Sequence, residues 1–394
     1  HACSIPNLKY PTMRKLFFLL QVNPIYWRQM YISHPQFVKD SIYLSFTTFN
    51  QKMGNREKIY FTRQICEFLQ YSLNKCHTIN KFLATSGEFW DFLLKCFFEK
   101  ECSASYILFI PVLEYISNTT ISFESDPSII YQNIYGQPPS GNVVPIEDFR
   151  VKETFIVNLR NLWHGIEIFT RKYQSIPMEL KYVCTKMFGW AADHNSNEID
   201  SLRCVSKILI GTFVDLYLSK SEIFGFEKYQ DTIVRDKIEV LISSLSTLFG
   251  FVSFEGYFEP LNQYSNEIMP HLKDILYSLM IGPEYEQDGD KMIYYDMSSE
   301  TPKLEILSQK AKDIFKMFKD NLYQYPQEDV IHELLSNSKE DLTISNEGRL
   351  FLELNPSVYC FLVSDDKMRK LYDQTKRSLV YMTPITLALG KVIE

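Results

Sequence analysis

The sequence predicts an all-α protein, on three observations. Apolar residues recur every three or four positions through long segments, as one buried helix face requires. Glycine is scarce, 14 in 394 residues, which disfavours tight hairpins and Gly-rich phosphate loops. The 29 Phe and 25 Tyr supply rings broad enough to fill wide helix–helix contacts.

The segments follow in order. Over residues 56–75, Ile65, Phe68, Leu69 and Leu73 share one face, with Arg63, Glu67 and Gln70 elsewhere. Over 151–173, Phe155, Leu159, Leu162, Ile166 and Phe169 repeat at the same spacing. Over 235–249 the repeat is Ile238, Leu241, Ile242, Leu245 and Leu248. Residues 301–323 read as one helix, with Thr301 as cap and Pro302 at the first helical position. Its expected stripe is Leu304, Leu307, Ala311, Ile314, Phe315, Phe318 and Leu322, with five lysines mostly on the other side; Pro326 stops it. GQPPSGN at 136–142 reads as a turn-rich linker, and GPEYEQDGDK at 282–291 as an acidic loop. Residues 341–345 and 349–354 are candidate short strands in a mixed tail. No fixed period repeats, which disfavours a solenoid.

Composition excludes several functions. A net charge of −7 leaves no cation excess for general nucleic-acid binding. No apolar run approaches the roughly 18 residues that span a bilayer, and the opening residues do not read as a targeting sequence. The eight cysteines form no C-x-x-C pair and have no histidines at zinc-ligand spacing, so they read as reduced thiols of an intracellular protein. Asp288-Gly289-Asp290 lacks the further ligands of a calcium loop, and Asn118-Thr119-Thr120 reads as an unused sequon. No nucleotide-binding, zinc-protease or serine-hydrolase motif occurs, and His164 reads as a packed or rim residue. No cofactor and no metal are expected.

Residues 175–226 read SIPMELKYVCTKMFGWAADHNSNEIDSLRCVSKILIGTFVDLYLSKSEIFGF. A Pro-started helix leads through a polar connection into a very apolar helix, which ends at Phe224-Gly225-Phe226. This resembles the signature region of Ras-GTPase-activating domains, where an I-P-x-x-[LM]-R-[YF] helix precedes a helix carrying F-L-R-x-x-N-P-A. The likeness extends both ways and fits the IQGAP family best. Residues 13–31 resemble its K-x-F-F-L-L-Q-x-x-P-x-Y opening, and 40–74 its helix pair around S-x-x-F-x-L-Y-N. Residues 108–134 resemble its A-P-V-x-x-E-I and D-P-x-x-I-Y stretch, 330–335 (VIHELL) its P-I-H-E-L-L, and 375–382 (TKRSLVYM) its T-K-R segment. The resemblance covers about residues 13–390.

The resemblance implies a RasGAP-like helical fold, with a central module cupping a small GTPase and a peripheral helical module. It divides the chain into a GTPase-activating-related domain with its helical extension at 1–337 and the start of the family's C-terminal region at 338–394. Active members insert an arginine finger that stabilises phosphoryl-transfer charge, worth roughly 10³–10⁵ in rate. A second arginine, in F-L-R, braces the finger loop. The finger loop maps onto residues 83–90, with Glu88 at the best-aligned finger position and Thr85 and Ser86 beside it. The bracing arginine maps onto Thr212, and the Asn-Pro onto Asp215-Leu216. No Arg occurs from Gln64 to Phe149, so the missing finger does not depend on register. Lys181 and Lys186 match basic positions near the GTPase-facing groove, without the bidentate fork of Arg.

The resemblance therefore implies a non-enzyme. It would bind a GTP-loaded small GTPase, Cdc42-like or Ras-like, without speeding hydrolysis. It would belong to a cytoplasmic cytoskeletal scaffold of the actomyosin ring at the division site, acting in cytokinesis. Actin and calmodulin-type light chains would bind regions outside these residues. The alternative is a helical interaction or dimerisation platform that has lost GTPase binding.

Overall fold

The computed structural model describes residues 10–47, 52–171, 176–194, 197–226, 231–280, 303–336, 338 and 347–354. Within them the regular structure is helical apart from one two-stranded sheet. The acidic loop at 282–291, with its Asp288–Asp290 run, the cap pair Thr301-Pro302, the candidate strand at 341–345 and the segment 375–382 lie outside the described residues. The chain divides into two compact units, His1–Phe68 with Gly282–Glu394, and Leu69–Ile281.

The first unit begins with α1 (Pro11–Val22), α2 (Ile25–Ser33) and α3 (Pro35–Ser41). Pro11 and Pro35 stand at the first helical position, where a missing N–H costs nothing. Leu16, Phe17, Phe18, Leu19 and Leu20 are all fully buried, so α1 is a core helix rather than a one-sided surface helix. Its polar Gln21 is satisfied by donating to the Ser45 carbonyl at 2.7 Å. The helix α4 (Asn55–Cys76) crosses the boundary between the units; its expected stripe of Ile65, Phe68, Leu69 and Leu73 is buried. Gln64 on this helix donates to the Leu20 carbonyl at 3.0 Å.

Residues 303–307 correct the sequence reading. The helix expected from Thr301 begins only at Ser308, as α15 (Ser308–Asp320), and the preceding residues form strand β1 (Lys303–Leu307). It pairs antiparallel with β2 (Arg349–Glu353), Leu304 opposite Leu352 and Ile306 opposite Leu350. The physical reason is the two-residue period: Leu304 and Ile306 point to one buried face, whereas Leu307, expected in the stripe, is 43% exposed. From Ala311 the helical stripe holds to Phe318, with Ile314, Phe315 and Phe318 buried, but the helix ends at Asp320 and Leu322, expected in the stripe, is half-buried in a separate 3-10 turn. Arg349 pairs with Glu305 at 2.7 Å on the outer face. Between α15 and β2 lies α16 (Val330–Ser336). Ahead of it Asp329 accepts from the Tyr26 hydroxyl at 2.6 Å, and the Tyr325 hydroxyl donates to the Tyr26 carbonyl.

The second unit holds α5 (Ile79–Ala84), α6 (Phe89–Glu101), α7 (Ile110–Ser117), α8 (Pro127–Tyr135), α9 (Phe149–Thr170), α10 (Met178–His194) and α11 (Glu198–Ile208). After a π-helical segment at Leu209–Val214 come α12 (Asp215–Ser219), α13 (Thr232–Phe249) and α14 (Asn262–Ser278). Short side-chain caps start many of them: Thr78, Asp126, Asp148, Asn197 and Asp231 each accept a backbone N–H from the first turn. The linker at 136–142 is a loop, with Gly136 and Gly141 in the left-handed region. The expected stripes of α9 and α13 are buried at Leu159, Leu162 and Ile166, and at Ile238, Leu241, Leu245 and Leu248. Phe98, Phe109, Phe213 and Tyr217 pack together with ring centroids of the contacting pairs 5.0–5.7 Å apart, Phe109 stacked on Tyr217 and the other pairs edge-on or tilted. His164 lies at the rim, edge-on to Tyr115 and 3.4 Å from Glu167.

Candidate functional site

The loop Thr85–Glu88 connects α5 to α6, and the sequence sets its shape. Thr85 ends α5, its N–H bonded to Lys81 and Phe82 carbonyls and its hydroxyl to the Lys81 carbonyl at 2.7 Å. Gly87 then takes a φ of 69°, a conformation that a side chain would strain. Ser86 and Gly87 are exposed. Glu88 turns inward: its side chain is 11% exposed and its Oε2 accepts from Trp90 Nε1 at 2.7 Å.

A helix leaves its last carbonyls without donors, and a cation at that end also meets the favourable side of the helix dipole. Lys207 of α11 fills both roles for α5. Its ammonium donates to the Phe82 carbonyl at 2.5 Å and to the Thr85 carbonyl, and lies 3.5 Å from the Leu83 carbonyl. It stands 4.6 Å from the Phe82 ring centroid and 3.8 Å from the Glu88 carboxylate. Burial lowers the Lys207 pKa from its ordinary value, and the Glu88 carboxylate opposes that shift.

One turn further on, a second set of polar groups joins α6 to the same long helix. Thr212 donates to Asp91 at 2.5 Å. Asp91 pairs with Lys95 at 3.2 Å, and Lys95 with Asp215 at 3.1 Å. The Ser219 hydroxyl donates to Asp215 at 3.0 Å. Burial pulls the Lys95 pKa down, but the Asp91 and Asp215 carboxylates outweigh it and hold it above its ordinary value. Thr212 sits within the π-helical segment, whose wider turn brings residues five apart toward one face. Lys207, two residues before this segment on α11, and Thr212 within it are five apart, and both reach the α5–α6 region.

Of the residues singled out from the sequence, Thr85, Glu88, Thr212 and Asp215 thus fall in two adjoining polar sets, and Ser86 is exposed at the loop tip. Lys181 and Lys186 lie half-buried on α10 and join neither set; the Lys186 ammonium lies 5.4 Å from the Tyr182 ring centroid. Three residues of these polar sets escaped the sequence reading: Lys207, Lys95 and Asp91. The position taken to have lost its brace, Thr212, contacts α6 instead, and the lysine that holds the loop lies five residues earlier. A lone cation inside CVSKILI was the available signal, since a charge amid core residues needs a partner.

No group of three or more His, Cys, Asp or Glu among the described residues could hold a metal ion, and no described helix is long and apolar enough to cross a membrane. The described part of the second unit is helical, and in it the Lys207 ammonium holds the α5–α6 loop. No family model matches the chain. Over 386 residues, 97% of the chain, it is 45% identical to the Ras GTPase-activating-like protein IQG1 of Saccharomyces cerevisiae. It is 23% identical over 431 residues to the protein of the same name of Candida albicans. The chain spans 26% of the length of each relative. The chain belongs to the IQGAP family of Ras GTPase-activating-like proteins.

Proposed function

We propose that these residues form a catalytically inactive GTPase-activating-related domain that binds a GTP-loaded small GTPase, Cdc42-like or Ras-like. The observation that carries this reading is the chemistry of the α5–α6 loop. A finger must project a cation onto the transferred phosphoryl group. The loop carries none: its ends are Thr85 and an inward-turned Glu88, and its nearest ammonium, Lys207, is spent on backbone carbonyls. The conformational support of a finger loop is retained while the finger itself is absent.

In this reading Thr85, Ser86 and Glu88 form the loop beside the nucleotide. Lys181 and Lys186 meet acidic residues of the GTPase, and Thr212 and Asp215 fasten the supporting helix to α6. The domain proper is residues 1–337, and 338–394 begins the family's C-terminal region. The whole protein is a cytoplasmic, cytoskeletal scaffold of the division site, acting in actomyosin ring assembly and cytokinesis. Actin and calmodulin-type light chains bind it outside this chain.

Two measurements test the proposal. Binding of the chain to Cdc42-like and Ras-like GTPases is compared in GDP- and GTP-analogue-loaded forms, with tighter binding of the latter expected. Single-turnover GTP hydrolysis is then followed with the domain in excess, with less than about tenfold acceleration expected. Larger acceleration overturns the inactivity. Absence of nucleotide-selective binding at high micromolar concentration overturns the GTPase partner and leaves the interaction platform.

A further inference from the structure

A second surface of the Leu69–Ile281 unit, built from other elements than the α5–α6 loop, has the chemistry of a peptide groove. An open cavity of about 580 Å³ lies between the start of α8, the turn Pro145–Glu147, α9 and the turn Gly256–Leu261 that leads into α14. Its volume lies in the range of pockets for ligands of a few residues. Pro127, Pro145 and Pro260 line it, and Phe155 and the 49% exposed Tyr257 give it aromatic walls. Gly256 holds a φ of +60°, and a Cβ there would meet nothing within 4 Å, so the backbone is open to a close approach.

The walls decide which kind of chain fits. An extended strand needs a row of backbone donors and acceptors on its host. Here the lining is helical turns and prolines, which offer no N–H. A helical ligand needs an apolar groove several turns long. A polyproline-II segment needs neither, because its backbone stays solvated and its rings pack on aromatic walls. Charge supplies the second criterion. Glu259 is the one charged lining residue and is exposed; its carbonyl accepts from the Asn262 N–H, and its carboxylate has no hydrogen bond or ion pair among the described residues. Glu147 and Glu255, next in sequence to lining residues, are also exposed, whereas the nearby cations Arg150 and Lys152 are not lining residues.

We infer that this groove binds a proline-rich segment of a partner protein, in polyproline-II form, with an arginine or lysine beside the prolines to meet Glu259. Calorimetric titration of the full 394-residue chain with blocked peptides APPLPPRA and APPLPPEA tests it. The arginine peptide is expected to saturate below about 1 mM, and the glutamate peptide to bind about fivefold more weakly. Glu259→Lys should reverse that preference, and Tyr257→Ala should weaken both by about fivefold or more. Circular dichroism and thermal unfolding check both variants; the surface change Glu259→Lys keeps the test open if Tyr257→Ala misfolds. No binding by either peptide overturns the inference, as does binding that neither substitution alters. Self-association that Tyr257→Ala abolishes also overturns it, because a second copy of the chain is then the occupant.

Discussion

Replacing Lys207 with methionine keeps the apolar stem and removes the ammonium. Two carbonyls of the α5 C-terminus, Phe82 and Thr85, lose a charged donor, and Glu88 loses its cation. Hydrogen bonds to charged groups contribute about 1.5–3 kcal/mol each. The buried ammonium offsets part of this through its own desolvation, which is the cause of its lowered pKa. The net loss is about 3 kcal/mol. For a unit of this size that corresponds to a fall of roughly 6–12 °C in melting midpoint. Most of it should be local, so hydrogen exchange of residues 79–92 should rise well above the wild-type rate while α13 changes little. Lys207→Arg, which keeps a cation, should restore most of the protection. Unchanged exchange over 79–92, with a midpoint within about 1 °C of wild type, would refute the bracing role. The pH dependence has a definite sign. With the folded pKa below the ordinary 10.5, the unfolded chain binds the proton more tightly. This group's contribution to stability therefore rises with pH between the lowered value and 10.5, and Lys207→Arg should flatten that rise in a denaturant series.

Other substitutions read out other parts of the fold. Glu88→Arg should leave single-turnover GTP hydrolysis less than about tenfold above the GTPase alone. It should also lower the melting midpoint, because it removes the Trp90 acceptor and sets a second cation beside Lys207. Thr212→Val removes the donor to Asp91 and should cost about 1 kcal/mol by urea unfolding. In the first unit, Asp329→Asn should cost about 1–2 kcal/mol by weakening the bond from Tyr26. Burial and then the Asp329 charge hold the Tyr26 pKa well above 10.0. Spectrophotometric titration should therefore show one tyrosine ionising at lower pH in that variant.

The long helices were legible because one face repeats over several turns. Ile65, Phe68, Leu69 and Leu73 of α4 leave no other reading, and α9 and α13 are equally plain. Residues 303–307 were not legible. Five residues carry too few repeats to separate a period of 2 from one of 3.6, and the deciding partner, Arg349–Glu353, lies far along the chain. The loop at 85–88 could be placed from its flanks, but the direction of Glu88 could not. Glu88 is turned by Trp90, two residues on, and stands 3.8 Å from a lysine 119 residues away, a proximity that exists only in the packed state. Lys207 was hidden for a related reason: in sequence it is one lysine in an apolar helix, and its acceptors are backbone atoms, which carry no residue signature.

The π-helical segment makes the hold on this loop a matter of counting as well as chemistry. In a regular α-helix, residues five apart differ by about 140° around the axis, so Lys207 and Thr212 would look in different directions. The wider turn at Leu209–Val214 takes in the last three of those five steps and closes part of that angle. A relative with one residue fewer between these positions could keep the lysine, the threonine and both aspartates and still lose one of the two attachments. Across such relatives, the length of this stretch would predict the rigidity of the α5–α6 loop better than the identity of any single side chain in it.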